Sequence, residues 1–263
     1  MLKKFQLTLR PDAPCAPRAH WAYLLYASLL EQVPPAYGAA LHHDGTTPMT
    51  QYLTPQPDGA LLWTVTLLGK TAREEVSPIL ETQTRYPLRK YQRSLEVVQQ
   101  SCQSIETLDQ LLAMAQTDQN HRLCFVTPAA FRQQNYYRLL PEPRLILQSQ
   151  LKKWNGCFPE CPIEDMGGGL EAMAAGLVLE DLHLNRSFYR LKGTSIPGFV
   201  GSIVLSNHLD GFHQLLANAL LEFSGFAGVG IKTALGMGGT IHELCPRNPR
   251  EATGRGSDRG PAL

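Results

Sequence analysis

SGFAGVGIKTALGMGGT, residues Ser224 to Thr240, decides how the rest of this chain is read. Six glycines fall within it (Gly225, Gly228, Gly230, Gly236, Gly238 and Gly239), and Lys232 and Thr233 sit near its middle. Glycine is selected where backbone must take positive φ or approach a ligand closely. Ahead of the glycines, Phe212, Leu215, Leu216, Ala219, Leu220 and Phe223 fall on one face of an amphipathic helix. The β-prone Ile241 to Leu244 follow. The order is therefore helix, glycine-rich loop, strand, and the loop is expected to present backbone N–H groups to an anion, a phosphate above all.

That order excludes a nucleotide-triphosphate site. A P-loop places glycine directly before lysine, after a strand and opening a helix. Here Ile231 separates Gly230 from Lys232, and the loop follows a helix. The reading left is a loop that holds a polynucleotide backbone.

Outward from this loop, the second half of the chain reads as strand (Arg122 to Val126), helix (Arg144 to Trp154), a loop with Gly167 to Gly169, a hairpin (Gly176 to Leu191 and Phe199 to Ser206), helix (residues 210 to 223) and a last strand. The first half shows the same layout. Phe5 to Leu9 alternates apolar and polar, as a half-buried strand does. His20 to Leu30 has helical spacing, residues 34 to 58 read as loop and short strand, Leu61 to Leu68 as strand, Ala72 to Thr82 as helix and Arg89 to Ser104 as strand. Twice over this is β-α-β-β-α-β. The expected fold class is α+β: two tandem ferredoxin-like (RRM-like) domains with a C-terminal glycine-rich loop. The division is expected at 1–110 and 111–246, with 247–263 a polar, disordered tail.

Bulk properties bound the function. The chain has 263 residues, of which 43% are hydrophobic, a globular composition with ample core. No apolar run approaches the roughly 18 residues that span a bilayer. MLKKFQLTLRP has no apolar stretch of the secretory kind, so a cytoplasmic location with no membrane partner is expected. A net charge of +1 requires any basic surface to be local. Cys157 and Cys161 form C-x3-C without a second Cys/His pair at zinc spacing, so reduced thiols and no metal site are expected.

Four stretches, in order, carry a resemblance. They are Leu41-His42 with Gly45 and Pro48-Met49-Thr50; Phe125 to Arg132 (FVTPAAFR); Ile196 to Gly201 (IPGFVG); and the glycine-rich run itself. Together they resemble the CRISPR-associated repeat-processing endoribonucleases of the RAMP superfamily. The resemblance implies metal-independent cleavage of precursor CRISPR RNA within each repeat, leaving a 5′-hydroxyl and a 2′,3′-cyclic phosphate, with no cofactor. It implies CRISPR repeat RNA as partner, with a CRISPR effector complex and a homodimer as further partner expectations. The alternative is a non-catalytic RAMP subunit that holds crRNA.

Such cleavage needs a group to take the 2′-hydroxyl proton, a proton for the 5′-oxygen, and positive charge on the phosphorane. His42, directly after Leu41, matches the family's catalytic histidine. His43 takes the role if its side chain is the one that points inward. Tyr26, preferred over Tyr23 on the first helix, matches a tyrosine that some members use. Many members place a lysine between the histidine and the Pro-Phe-Thr stretch; this chain has Thr46 and Thr47 there, and no Lys or Arg follows His42 before Lys70. For RNA binding the candidates are Gly225, Gly228, Gly230, Lys232, Thr233, Gly236 and Gly238 in the glycine-rich run, Arg144, Lys152 and Lys153 on the helix that ends in Trp154, and Arg186 and Arg190 at even spacing on one strand.

Overall fold

Alternation in the first strand predicts one buried face, and β1 (Leu2–Pro11) buries Phe5, Leu7 and Leu9 while Gln6 stays exposed. The computed structural model describes residues 1–13, 18–43, 47–164 and 167–247; the side chains of Ala40, His42 and His43 are also outside the description. After β1 come a short 3-10 turn (Ala19–Trp21), α1 (Ala22–Leu30), α2 (Pro35–His43), β2 (Met49–Pro55), β3 (Leu61–Leu68), α3 (Lys70–Thr82), β4 (Arg85–Leu88) and β5 (Arg93–Ile105). They form an antiparallel sheet in the order β2-β3-β1-β5-β4. Without the added β4, this is the ferredoxin-like order. Trp63, Val65, Leu25, Leu29, Val76 and Leu80 fill the core between this sheet and its helices.

Helix α4 (Leu108–Ala115), opened by a Thr107–Gln110 capping box, leads to the second unit. There β6 (Asn120–Ala129), a small hairpin of β7 (Phe131–Gln133) and β8 (Tyr136–Arg138), α5 (Pro143–Cys157), α6 (Gly169–Gly176), β9 (Leu177–Leu191), β10 (Thr194–Asn207), α7 (Gly211–Ala227), a 3-10 turn (Thr233–Leu235) and β11 (Thr240–Cys245) follow. The sheet order β11-β6-β10-β9, antiparallel throughout, is again ferredoxin-like.

Two boundaries differ from expectation. Residues 35–43 are helix α2 instead of loop; Pro35 opens it, where a missing N–H costs nothing. Helix α7 runs four residues past Phe223, so Ser224 and Gly225 are helical and buried. Glycine is favoured at 225 because β11 packs close against α7 there: a Cβ would lie 3.0 Å from the Cβ of His242. The predicted disordered tail falls outside the described residues from 248 onward.

A buried polar chain fixes β11 and β6 to α7. Asn218 Nδ2 donates to the carbonyls of Ala115 (3.0 Å) and Thr117 (3.1 Å), leaving Oδ1 to accept from Asn207 Nδ2 (2.7 Å) and His121 Nε2 (2.9 Å). His121 Nδ1 is then the acceptor for His242 Nε2 (2.9 Å), whose Nδ1 faces Glu222 at 3.2 Å. Burial, with the charge of His242 beside it, holds the His121 pKa down to about 4.

The two sheets meet through the glycine-rich segment. Lys4 Nζ donates to Gly225 O (2.9 Å) and Thr50 Oγ1 to Phe226 O (2.8 Å), both at the C-terminal end of α7. Gln51, 1% exposed, donates to Ala22 O (3.0 Å) and Ala234 O (3.1 Å) while accepting from Trp63 Nε1 (2.8 Å). Trp154, Phe158, Phe223 and Phe226 add a third core against Leu2 and Leu68 of the first sheet.

Gly236 has φ 102°, and a Cβ there would strike the Tyr189 hydroxyl and lie 2.7 Å from the Ala22 Cβ. Gly193, at φ 84° in the β9–β10 turn, has open space where its Cβ would be. Gly236→Ala is expected to lower unfolding free energy by about 3 kcal/mol, and Gly193→Ala by about 1 kcal/mol, because only the first adds a clash to backbone strain. Chemical denaturation of both variants checks this; equal losses would contradict the docking role of Gly236.

Candidate functional site

A groove of about 1100 Å³ opens between α5, the β7–β8 hairpin and the segment that follows α7. Six cations line it: Arg132, Arg138, Arg144, Lys152, Lys153 and Lys232. Among the described residues that line it there is no Asp or Glu. The chain's small net charge therefore conceals a strongly positive concavity, which focuses field toward anions. Thr47, the first described residue after α2, also lines the groove.

Each wall has a local cause. Helix α5 buries Leu145, Ile146, Leu147, Leu151 and Trp154, which leaves Arg144, Lys152 and Lys153 toward the groove. The hairpin is closed by Gln134 (φ 46°) and Asn135 (φ 69°), both left-handed as a two-residue primed turn requires. Its register pairs Arg132 with Tyr137 and Gln133 with Tyr136. Arg144 Nε is held by Glu171 at 2.6 Å, a partly screened surface pair.

The glycine-rich segment serves the groove differently from expectation. Its amides are used within the protein: Gly228 N donates to Ser224 O (2.9 Å), Gly230 N to Ser149 Oγ (2.9 Å) and Gly238 N to Pro128 O (2.9 Å). Gly225 lies in α7, and Gly236 packs against Tyr189 and Ala22. The structure thus places the glycines in the junction of the two sheets, where close backbone approach is what they supply. Lys232 is the exposed member, with φ 56° and its carbonyl accepting from Leu235 N (2.9 Å) and Met237 N (3.3 Å). Thr233 is buried and accepts from Lys153 Nζ at 2.8 Å.

Lys153 is half-buried, and desolvation pulls its pKa down to about 8. One turn later Cys157 is pushed up to about 11 by burial, with the Lys153 charge pulling the other way. Cys161 packs at the edge of the third core. Across from Cys157, Tyr37 of α2 is raised to about 12, by burial first and then by its neighbours Tyr26, Glu75 and Cys157. These influences put Tyr37, in the first turn of α2, near Cys157 of α5.

Tyr26 is half-buried and its pKa is raised by burial, with the Thr47 side chain near enough to pull slightly the other way. Tyr23 instead packs with the Tyr189 and Met237 cluster and carries Lys192 Nζ over its ring at 5.3 Å. His42 and His43 close α2, in the first half of the chain, and their side chains lie outside the described residues. Arg186 stacks over Phe188 at 5.0 Å on exposed β9, and Arg190 acts on His20; neither lines the groove. His20 Nε2 meets the Tyr91 hydroxyl at 3.2 Å, and burial lowers its pKa.

Arg132, Arg138 and Tyr37 were not among the sequence candidates. An Asn at the turn of FRQQNYYR is the signal that marks the hairpin. Nothing local marks Tyr37, whose surroundings are set by α5.

A family model described as CRISPR-associated endoribonuclease Cas6 matches residues 123–240. A CRISPR-associated endoribonuclease Cas6 from Mycobacterium tuberculosis is 30% identical over 256 residues, covering 94% of this chain and 80% of the relative. The chain belongs to the Cas6 endoribonuclease family. A Streptococcus thermophilus Cas6 is 28% identical over 229 residues, covering 85% of this chain and 91% of its own length. The solved Thermus thermophilus Cas6 has the same fold, with a TM-score of 0.69 at 24% identity over 92% of this chain and 98% of that one. Within this Cas6 chain, Pro128, Ala130, Ser149 and the glycine-rich segment, which hold the groove wall together, all fall inside the family-model match.

A groove lined by these cations should bind a single-stranded oligonucleotide with steep salt dependence. Replacing exposed Lys152 or Arg132 by Ala is expected to reduce the slope of log K against log salt by about 0.7 for each phosphate that is no longer neutralised. Fluorescence anisotropy titrations across a salt series check this, and unchanged slopes would remove those residues from the interface.

Proposed function

We propose that this Cas6-family chain cleaves precursor CRISPR RNA within its repeats by attack of a 2′-hydroxyl on the adjacent phosphorus. The observation that carries the reading is a single groove lined by the cations of α5 and of the Lys232 turn and also by Thr47, which in sequence follows the helix that His42 and His43 close. Phosphates held by Arg132, Arg144, Lys152 and Lys232 would lead the strand toward Thr47, with Tyr136 and Tyr137 exposed on the hairpin for bases to stack on.

His42 takes the 2′-hydroxyl proton, and His43 does so if it is the inward member of the pair. An imidazole suits this step because its ordinary pKa lies near neutrality. Tyr26, near Thr47, orients that part of the groove. The product ends are a 2′,3′-cyclic phosphate and a 5′-hydroxyl. Arg186, Phe188 and Arg190 on β9 form a separate basic and aromatic strip for a second part of the RNA. The division of labour follows a boundary at residues 110 and 111, the base coming from the first part and the groove cations from the second.

Among the described residues no helix is long and apolar enough to cross a membrane; a cytoplasmic site for the reaction is part of what we propose. Delivery of the product to a CRISPR effector complex, and a homodimer, belong to the same proposal.

RNA carrying the CRISPR repeat of the organism that encodes the chain, incubated with the protein in EDTA, tests the reading. Specific cleavage is expected, and His42→Ala is expected to slow it by about 10²- to 10⁴-fold. Binding without cleavage by the unaltered protein would contradict it and favour a crRNA-holding subunit. Loss only with His43→Ala would move the base by one residue.

A further inference from the structure

Resting on the cleavage reading above, we infer that Lys153 is a catalytic residue: its ammonium, presented from α5 in the second half of the chain, contacts the scissile phosphate and stabilises the phosphorane. The positive charge that the reaction needs is missing from the expected stretch, since no Lys or Arg lies between His42 and Lys70. Lys153 lines the same groove as Thr47, and so faces the space in front of that stretch.

Its surroundings separate it from every other cation there. Lys152 and Lys232 are exposed, and Arg144 has a carboxylate partner in Glu171. Lys153 Nζ has a neutral partner, the hydroxyl of buried Thr233, and no ion pair among the described residues. Lys4, another lysine with a lowered pKa, is unlike it: burial lowers that pKa too, but its Nζ donates to the Gly225 carbonyl at the C-terminal end of α7, a favourable place for a cation.

A half-buried ammonium without a counter-charge is costly, and an arriving phosphate supplies what is missing. Low local polarity makes that interaction stronger than it would be on the rim. The attraction grows further as the phosphate collects charge in the phosphorane, which is the condition for accelerating the step instead of merely binding.

The groups around Lys153 fit this role. Cys157, on the same helix, is pushed toward its neutral thiol by burial. Thr233 comes from the 3-10 turn and Lys232 directly precedes that turn, and Thr47 lines the same groove; farther along α5, Cys157 acts on Tyr37, as does Glu75. Among the described residues no carboxylate lines the groove to neutralise Lys153.

In the reaction the bond from the 2′-oxygen to phosphorus forms and the bond to the 5′-oxygen breaks. The proton taken from the 2′-hydroxyl returns to the 5′-oxygen by way of solvent, so the proton balance is zero. Lys153 keeps its proton throughout and supplies charge. With a pKa near 8 in the free protein, the ammonium is present at neutral pH and lost above it. The value of kcat/KM should therefore fall as pH rises through about 8, because the neutral amine cannot stabilise the phosphorane.

Three proteins (unaltered, Lys153→Met and Lys153→Arg) are compared on repeat RNA in EDTA, and on the same RNA with a 2′-deoxy nucleotide at the cleavage point as a binding-only probe. Lys153→Met should lose about 100-fold in cleavage and retain most of its affinity for the deoxy probe, which also reports that it is folded. Lys153→Arg should recover part of the rate and lose the fall near pH 8. An undiminished rate in Lys153→Met, with the unaltered protein cleaving, overturns this inference alone. Equal losses of cleavage and deoxy-probe binding also overturn it, making Lys153 a binding residue. Failure of the unaltered protein to cleave overturns the proposed function and this inference with it.

Discussion

Everything at the proposed site depends on how closely the segment after α7 lies on the first sheet. That junction has little tolerance. Gln51 is almost wholly buried and spends its amide on three partners: a carbonyl from α1, a carbonyl from the 3-10 turn, and the indole of Trp63. Gly236 and Gly239 pass where a side chain would collide, the second with the ring of Tyr52 (2.7 Å to Cδ1). A buried polar side chain satisfied on every side fixes register more sharply than apolar packing alone. The result is that Thr47, at the start of β2, and Lys153, on α5, share one groove although they come from different halves of the chain.

The electrostatics follow from the same docking. Among the described residues six cations and no carboxylate line a concave surface on a chain whose overall charge is nearly balanced. Each exposed cation is well solvated and is worth little by itself. Lys153 is different because Thr233 and the buried part of α5 displace water from around its ammonium. Rim cations suit holding and steering a polyanion, whereas a desolvated one suits a charge that grows during reaction.

Sequence made much of the fold legible and the site only partly so. Phe5, Leu7 and Leu9 announced β1 because that strand has one wet face. The apolar period of α7 was readable to Phe223, but Ser224 and Gly225 looked like loop because what favours glycine at 225, the approach of β11, is not local. Pro34-Pro35 and Gly38 disguised α2, although a proline at the first helical position is a start signal. The glycines were correctly seen as marking close approach, yet the partner is mostly protein: their amides reach Ser224, Ser149 and Pro128. Lys153 was readable as basic, but not as a lysine bonded to a hydroxyl 80 positions away. His42 and His43 were legible through the family resemblance alone, and their side chains stay outside the described residues.

The central claim is that the scissile phosphate lies at the junction of the two halves, between the end of α2 and α5. Photocrosslinking tests it most directly, with a single 4-thiouridine placed beside the cleavage point of a 2′-deoxy-protected repeat RNA and the adducts mapped by mass spectrometry. Adducts on peptides from both halves are predicted, one spanning the end of α2 to Thr47 and the other including Lys153 or Lys232. Adducts confined to one half, or to β9 alone, would contradict the account.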